Sequence, residues 1–189
     1  MDIKALAQKY EPYIIERRRY FHAHPELSFK EWDTTKALVA EFEKMGMEIQ
    51  TFPDYPGLIA TLDTGKPGRT VMLRADIDAL PVKEGTGLDF ASQNEGVMHA
   101  CGHDNHMAML LGAAHILLEK KDELKGNVKF LLQSGEEMAC GAKYYVDHNI
   151  LDGVDAIFGQ HIWGTLDAPY VCVASGNRMA SCDNFTIRV

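Results

Sequence analysis

No Lys/Arg-rich block occurs anywhere in the 189 residues, and 19 basic against 27 acidic side chains leave a net charge of −8. Phosphate backbones and anionic membranes are held by clustered cations, so neither nucleic acid nor such a membrane is expected as a partner. Long apolar runs are missing too: none approaches the ~18 residues that span a bilayer. Met1-Asp2-Ile3-Lys4 opens a charged amphipathic segment, where a secretory signal would carry an apolar core. The four cysteines, Cys101, Cys140, Cys172 and Cys182, lack the close regular spacing of a disulfide framework. With nine methionines beside them, a reducing, cytoplasmic setting is expected. Repeats and low-complexity tracts are absent, which excludes solenoid architectures. The length and the 46% apolar content suit one globular domain with a sizeable core.

The apolar positions Leu6, Tyr10, Tyr13, Ile14 and Tyr20 predict a helix from Ile3 to His24, stopped by Pro25. A second helix is expected after Ser28, with Glu31 three residues on in the pattern of a capping box, and ending at Gly46. Strands follow at Glu48–Phe52, Leu58–Asp63 and Thr70–Asp76, the last two separated by the turn Gly65-Lys66-Pro67-Gly68. Met107, Leu110, Leu111, Ala114 and Leu118 predict a helix over His106–Lys120. Further strands are expected at Asn127–Leu132, at Ala156–Trp163 with His161 inside it, and at Tyr170–Ala174, with a short helix over Ala142–His148. Phe185 to Val189 alternates like another strand, and an unpaired apolar edge there would invite aggregation, so this chain reads as the front part of a longer one. Helix–strand alternation makes the class α/β.

Four polar clusters fall at strand ends or in strand-to-helix loops, where open α/β sheets place their sites. Met98-His99-Ala100-Cys101-Gly102-His103-Asp104-Asn105-His106 is the densest. Thiolate and imidazole are zinc-type ligands, and a bend at Gly102 would turn Cys101 and His103 to one point. Either residue alone would more often be structural; the pair, beside Asp104 and His106, reverses that weighting. His99 and His106 suit ligation or hydrogen bonding behind the ligands. Asp76 and Asp78 end a strand, and one of them can orient a ligand histidine by accepting its second ring N–H. Glu136 and Glu137 follow the apolar run Val128–Leu132, where one carboxylate can ligate and the other act as general base on a metal-bound water. His161 is ambiguous by itself and gains weight from the other clusters. His22, His24, His115 and His148 are taken as structural. Cys101, His103, Glu137 and His161 would complete one tetrahedral site, while two ions would need a further ligand. A closed structural zinc, or a Cys101 nucleophile with His103 as base, are the competing readings.

The stretches Arg18-Arg19-Tyr20-Phe21-His22-Ala23-His24-Pro25-Glu26-Leu27-Ser28-Phe29, Arg74-Ala75-Asp76-Ile77-Asp78-Ala79-Leu80-Pro81, His99-Ala100-Cys101-Gly102-His103-Asp104, Glu136-Glu137 and Gly159-Gln160-His161-Ile162-Trp163 together resemble the M20 metallopeptidase family. The resemblance is to its amidohydrolase branch, which includes hippurate, indole-3-acetyl-amino-acid and N-acetyldiaminopimelate hydrolases. It implies a three-layer α/β/α sandwich with a mostly parallel mixed sheet, interrupted by a lid and dimerisation domain. On that pattern residues 1–180 form the front of the catalytic domain and 181–189 begin the lid, with Met179 to Phe185 as the crossing. The resemblance further implies two divalent ions (Zn, Mn, Ni or Co) on Cys101, His103, Glu137, His161 and a histidine beyond this sequence. Glu136 matches the general base, Asp78 is placed with it in the catalytic set, and the implied substrate is a small N-acyl amino acid. Ser134 departs from the Pro-Ala type of sequence usual before the two glutamates.

Overall fold

The computed structural model describes residues 2–177, 179 and 185–188. Helix α1 (Ile3–Ala23) begins where the Asp2 side chain accepts the Ala5 N–H at 3.0 Å and stops just before Pro25. Helix α2 (Trp32–Lys44) follows, then the antiparallel hairpin β1 (Glu48–Phe52) and β2 (Tyr55–Asp63) and the strand β3 (Thr70–Asp76). Helix α3 (His103–Glu119), β4 (Asn127–Gln133), α4 (Gly141–Asp147) and β5 (Ala156–Gly159) complete the described elements.

The strand order is β1-β2-β4-β3-β5. β2 runs antiparallel to both β1 and β4, whereas β3 lies parallel to β4 on one side and β5 on the other. The sheet is therefore mixed in two blocks, and the parallel block carries the polar strand ends. Alternation along the strands sends side chains to two cores. Leu58, Ala60, Leu62, Ala75, Phe130 and Leu132 meet Phe21, Leu38, Phe42, Met107 and Leu111 from the three long helices. Ile59, Met72 and Leu131 face the other way, against Tyr145 of α4 and the chain that follows it. Helices lie on both faces, which makes the three layers.

Several local expectations change. The capping box does not form: α2 starts at Trp32, and Glu31, fully buried, turns its carboxylate away from the helix end. Ser28 Oγ instead donates to Asp78 Oδ2 at 2.7 Å. α3 starts at His103, three residues early, because the left-handed Gly102 opens the helix there. β5 ends at Gly159, so His161 lies beyond the strand. Residues 170–174 and 185–188 form no strand, since their exposed alternating side chains meet no partner strand among the described residues. The expected boundary at residue 180 and most of the lid crossing, Ala180 to Asn184, lie outside the described residues.

Candidate metal centre

Three backbone ends converge beside α3. At the first, β3 stops at Asp76 and Ile77 N–H donates to Gln133 O at 3.0 Å, joining the ends of β3 and β4. The two aspartates thereby take different partners. Asp76 Oδ1 lies 2.5 Å from His106 Nδ1, and its Oδ2 accepts from Arg74 Nη1 at 2.7 Å. Asp78 Oδ2 accepts the Ser28 hydroxyl and, at 2.9 Å, the backbone N–H of Glu137. Burial would raise both carboxyls, but these donors outweigh it and hold both below the ordinary carboxylate range.

The second end is the turn after β4. Gly135 is left-handed (φ 72°), and a Cβ there would lie 2.2 Å from the Phe29 ring, so only glycine fits. A 3-10 turn, Glu136–Met138, then carries both glutamates. The third is the start of α3, where Gly102 (φ 99°) would bring a Cβ within 2.3 Å of Ile162 Cδ1. That contact packs the His161 segment against Cys101 and His103.

His103 stands at the centre, fully buried. Its Nδ1 donates to the Asp78 carbonyl at 2.8 Å, with Asp78 Oδ1 at 3.4 Å, which leaves Nε2 as the free nitrogen. Around Nε2 stand Glu136 Oε2 at 3.6 Å, Glu137 Oε1 at 3.7 Å and Asp76 Oδ2 at 3.7 Å. None is a hydrogen bond, and His103 Nε2 and Glu137 Oε1 are buried without a partner among the described residues. Burial opposes charging His103, yet Asp78, Asp76 and Glu137 outweigh it and raise its pKa. Glu137 is itself raised, by burial and by Glu136 against the opposing pull of His103. Crowded carboxylates and an orphaned imidazole nitrogen call for a cation. Two ligands sharing an ion at ~2.0–2.2 Å lie a little over 3 Å apart, close to the spacing seen.

Cys101 Sγ lies 3.4 Å from His161 Nε2. Burial, then the negative charge of Glu137, pushes the thiol up to about 12. The imidazole in contact with Cys101 belongs to His161 rather than His103, which does not match the competing reading of Cys101 as nucleophile with His103 as its base. Cys101, His103 and His161 form one candidate ligand group, and His103, Glu136 and Glu137 another, each with donor atoms within 4.8 Å of one another. All the expected ligands and Glu136 are thus brought together, with His103 shared. Asp76, His103 and His106 form a third group. There, however, His106 spends Nδ1 on Asp76 and accepts the Ile162 N–H on Nε2 at 3.0 Å.

A second polar network lies behind α3. His22 is taken up there: its Nδ1 is 2.8 Å from Asp104 Oδ2 and its Nε2 3.1 Å from Glu84 Oε1, while Arg18 Nε also reaches Asp104 at 2.9 Å. His99 is buried with neither ring nitrogen partnered among the described residues, and burial lowers its pKa to about 4, so it is held neutral. Sequence reasoning missed Glu84 altogether and gave Glu31 and Ser28 a different task. A buried glutamate beside a helix start looks, in one dimension, the same as a capping one.

A mixed sheet between helices, with cysteine, histidine and glutamate gathered at parallel strand ends, defines a metal-site α/β protein. The chain belongs to peptidase family M20/M25/M40, whose model matches residues 72–175. It is 41% identical to an N-acyl-L-amino acid amidohydrolase of Geobacillus stearothermophilus, over all of this chain and 51% of that one. It is 45% identical to an N-acetylcysteine deacetylase of Bacillus subtilis, over 92% of this chain and 46% of that one. Among solved structures, a Bacillus subtilis protein described as a dinuclear metal binding peptidase from M20 family superposes with a TM-score of 0.79 at 44% identity, covering 88% of this chain and 45% of that one. A putative aminohydrolase from methicillin-resistant Staphylococcus aureus gives 0.83 at 45% identity, over 87% and 45%. The chain spans about half the length of the relatives it matches. No described helix is long and apolar enough to cross a membrane.

Proposed function

We propose that this chain carries the metal centre of an amidohydrolase that cleaves the amide bond of N-acyl amino acids in the cytoplasm. In this reading Cys101, His103, Glu137 and His161 are the ligands and Glu136 is the general base. The observation that carries it is the pair of orphaned buried atoms, His103 Nε2 and Glu137 Oε1, 3.7 Å apart and facing each other beside the Glu136 carboxylate. The names of the N-acyl amino acid and N-acetylcysteine hydrolysing relatives support the substrate class. Two divalent ions, from zinc, manganese, nickel or cobalt, would supply Lewis acidity and bring the pKa of water toward neutrality.

The chain's own residues then have separate tasks. Asp78 holds the His103 ring through its carbonyl, so that Nε2 faces the centre, and holds Glu137 through its backbone N–H. Glu137, 16% exposed at its side chain, sits deeper than Glu136 at 39%. The deeper carboxylate suits ligation. The shallower one can take a proton from an attacking water and deliver it to the leaving amine nitrogen.

The test is hydrolysis of a panel of N-acyl amino acids together with metal content, for the wild type and Glu136→Gln. The expected variant keeps its metal and loses about 10²- to 10⁴-fold in rate. Undiminished turnover with metal bound removes Glu136 from the role. A second reading, a metal-binding half without turnover of its own, is supported by coverage of only about half of each relative. It is distinguished by bound metal and no hydrolysis in the wild type.

A further inference from the structure

Glu31 takes no part in the chemistry proposed above, yet it is fully buried and reaches the loop that bears both glutamates. Ser134 Oγ lies 2.8 and 2.7 Å from its two carboxylate oxygens, and Gly135 N–H donates to Oε1 at 3.1 Å. Its own carbonyl accepts the Thr35 hydroxyl at 2.6 Å, and Thr35 Oγ1 in turn accepts Gly57 N–H at 2.8 Å, which ties the segment to β2. Two neighbours complete a bracket. The Phe29 ring occupies the space over Gly135 that a Cβ would need. Ser28 donates to the same Asp78 oxygen that receives the Glu137 N–H.

Resting on the metal-centre reading, we infer that Glu31 is a positioning residue for the metal ligand and general base: its carboxylate pins Ser134 and Gly135 and thereby sets where Glu136 and Glu137 point. A left-handed turn at Gly135 followed by three residues of 3-10 helix has little stiffness of its own. The conformation must be imposed from outside, and Glu31 supplies a fixed acceptor at the turn. Burial of the carboxyl raises its pKa to about 7, consistent with a group held for geometry in a dry site.

The experiment uses the 189-residue chain, Co²⁺ alone as the probe, and amide hydrogen exchange at Glu137, whose own acceptor is Asp78 and not Glu31. Glu31→Ala is expected to bind Co²⁺ at least tenfold more weakly and to exchange the Glu137 amide at least tenfold faster. Glu31→Gln keeps an acceptor for Gly135 and a donor for Ser134, and is expected within threefold of wild type on both. Thr64→Val breaks a buried hydroxyl bond outside this bracket, to the Gly126 carbonyl at 2.7 Å, and is expected to lower the melting temperature without changing Co²⁺ affinity. Glu31→Ala at wild-type values overturns the proposal, as does Glu31→Gln as impaired as Glu31→Ala, or Thr64→Val as weak for Co²⁺ as Glu31→Ala. Should Glu31→Ala not fold, Ser134→Ala cuts the same link from the other side, and an unchanged Glu137 amide there overturns it. Absence of Co²⁺ binding by the wild type would count against the metal centre itself, and the exchange comparison would still decide the role of Glu31.

Discussion

Replacing Glu31 by glutamine tests the electrostatics of the buried bracket directly. Burial pushes the Glu31 carboxyl from its usual 4.5 up to about 7, against the lowering effect of the Ser134 and Gly135 bonds, and Asp78 nearby adds to the rise. Between pH 4.5 and 7 the folded chain therefore keeps a proton that the unfolded chain has released. Stability contributed by this group is complete below pH 4.5 and is lost as the pH rises through about 7. At ~1.4 kcal/mol per pH unit the gap corresponds to about 3 kcal/mol. No screening discount applies, because the side chain is fully buried. Glutamine does not titrate, so the stability advantage of Glu31→Gln over wild type should grow by about 3 kcal/mol from pH 4.5 to pH 8. For a chain of this size that is roughly 6–12 °C in melting temperature. Urea melts of both proteins across that range measure it, and taking the difference cancels titrations common to the two. Parallel stability curves would show that Glu31 ionises in the fold as it does in water, and the argument from burial would be refuted.

Other outcomes follow from the same geometry. His106→Ala leaves the buried Asp76 carboxylate with Arg74 as its remaining partner and frees the Ile162 N–H; it should cost about 1.5–3 kcal/mol in a urea melt, and a loss below ~1 kcal/mol would mean that water replaces the ring. Gly102→Ala places a Cβ against Ile162 at a left-handed φ; it should cost about 1–3 kcal/mol and weaken Co²⁺ binding by displacing His161, a prediction that unchanged affinity defeats. Because the Cys101 thiol is pushed up to about 12 without a metal, Zn²⁺ binding near neutral pH should release at least one proton. Calorimetry in two buffers of different ionisation heat reads that release, and Cys101→Ala should reduce it by one. If the proton count is zero, Cys101 is not a ligand.

The amino-acid sequence by itself determined the helices and strands whose apolar spacing is regular: α1, β1, β3 and β4 lie within a residue of their expected bounds. It also determined the pool of ligand-type residues and the order of motifs that marks the family. These are local properties, written in the 3.6- and 2-residue periods and in turn chemistry. Only the tertiary structure decided which ring nitrogen of each histidine is free. His103 Nε2 is left open because its Nδ1 meets the Asp78 carbonyl, and His106 is spent on Asp76 and Ile162. Those partners are 25 or more residues apart in sequence. They meet because β3 lies between β4 and β5, an order of strands that no local period encodes. The same holds for Glu31, which reads as a helix cap until the fold brings Ser134, 103 residues on, against its carboxylate. His161 reads as a core strand residue until β5 ends two residues before it and leaves it beside Cys101.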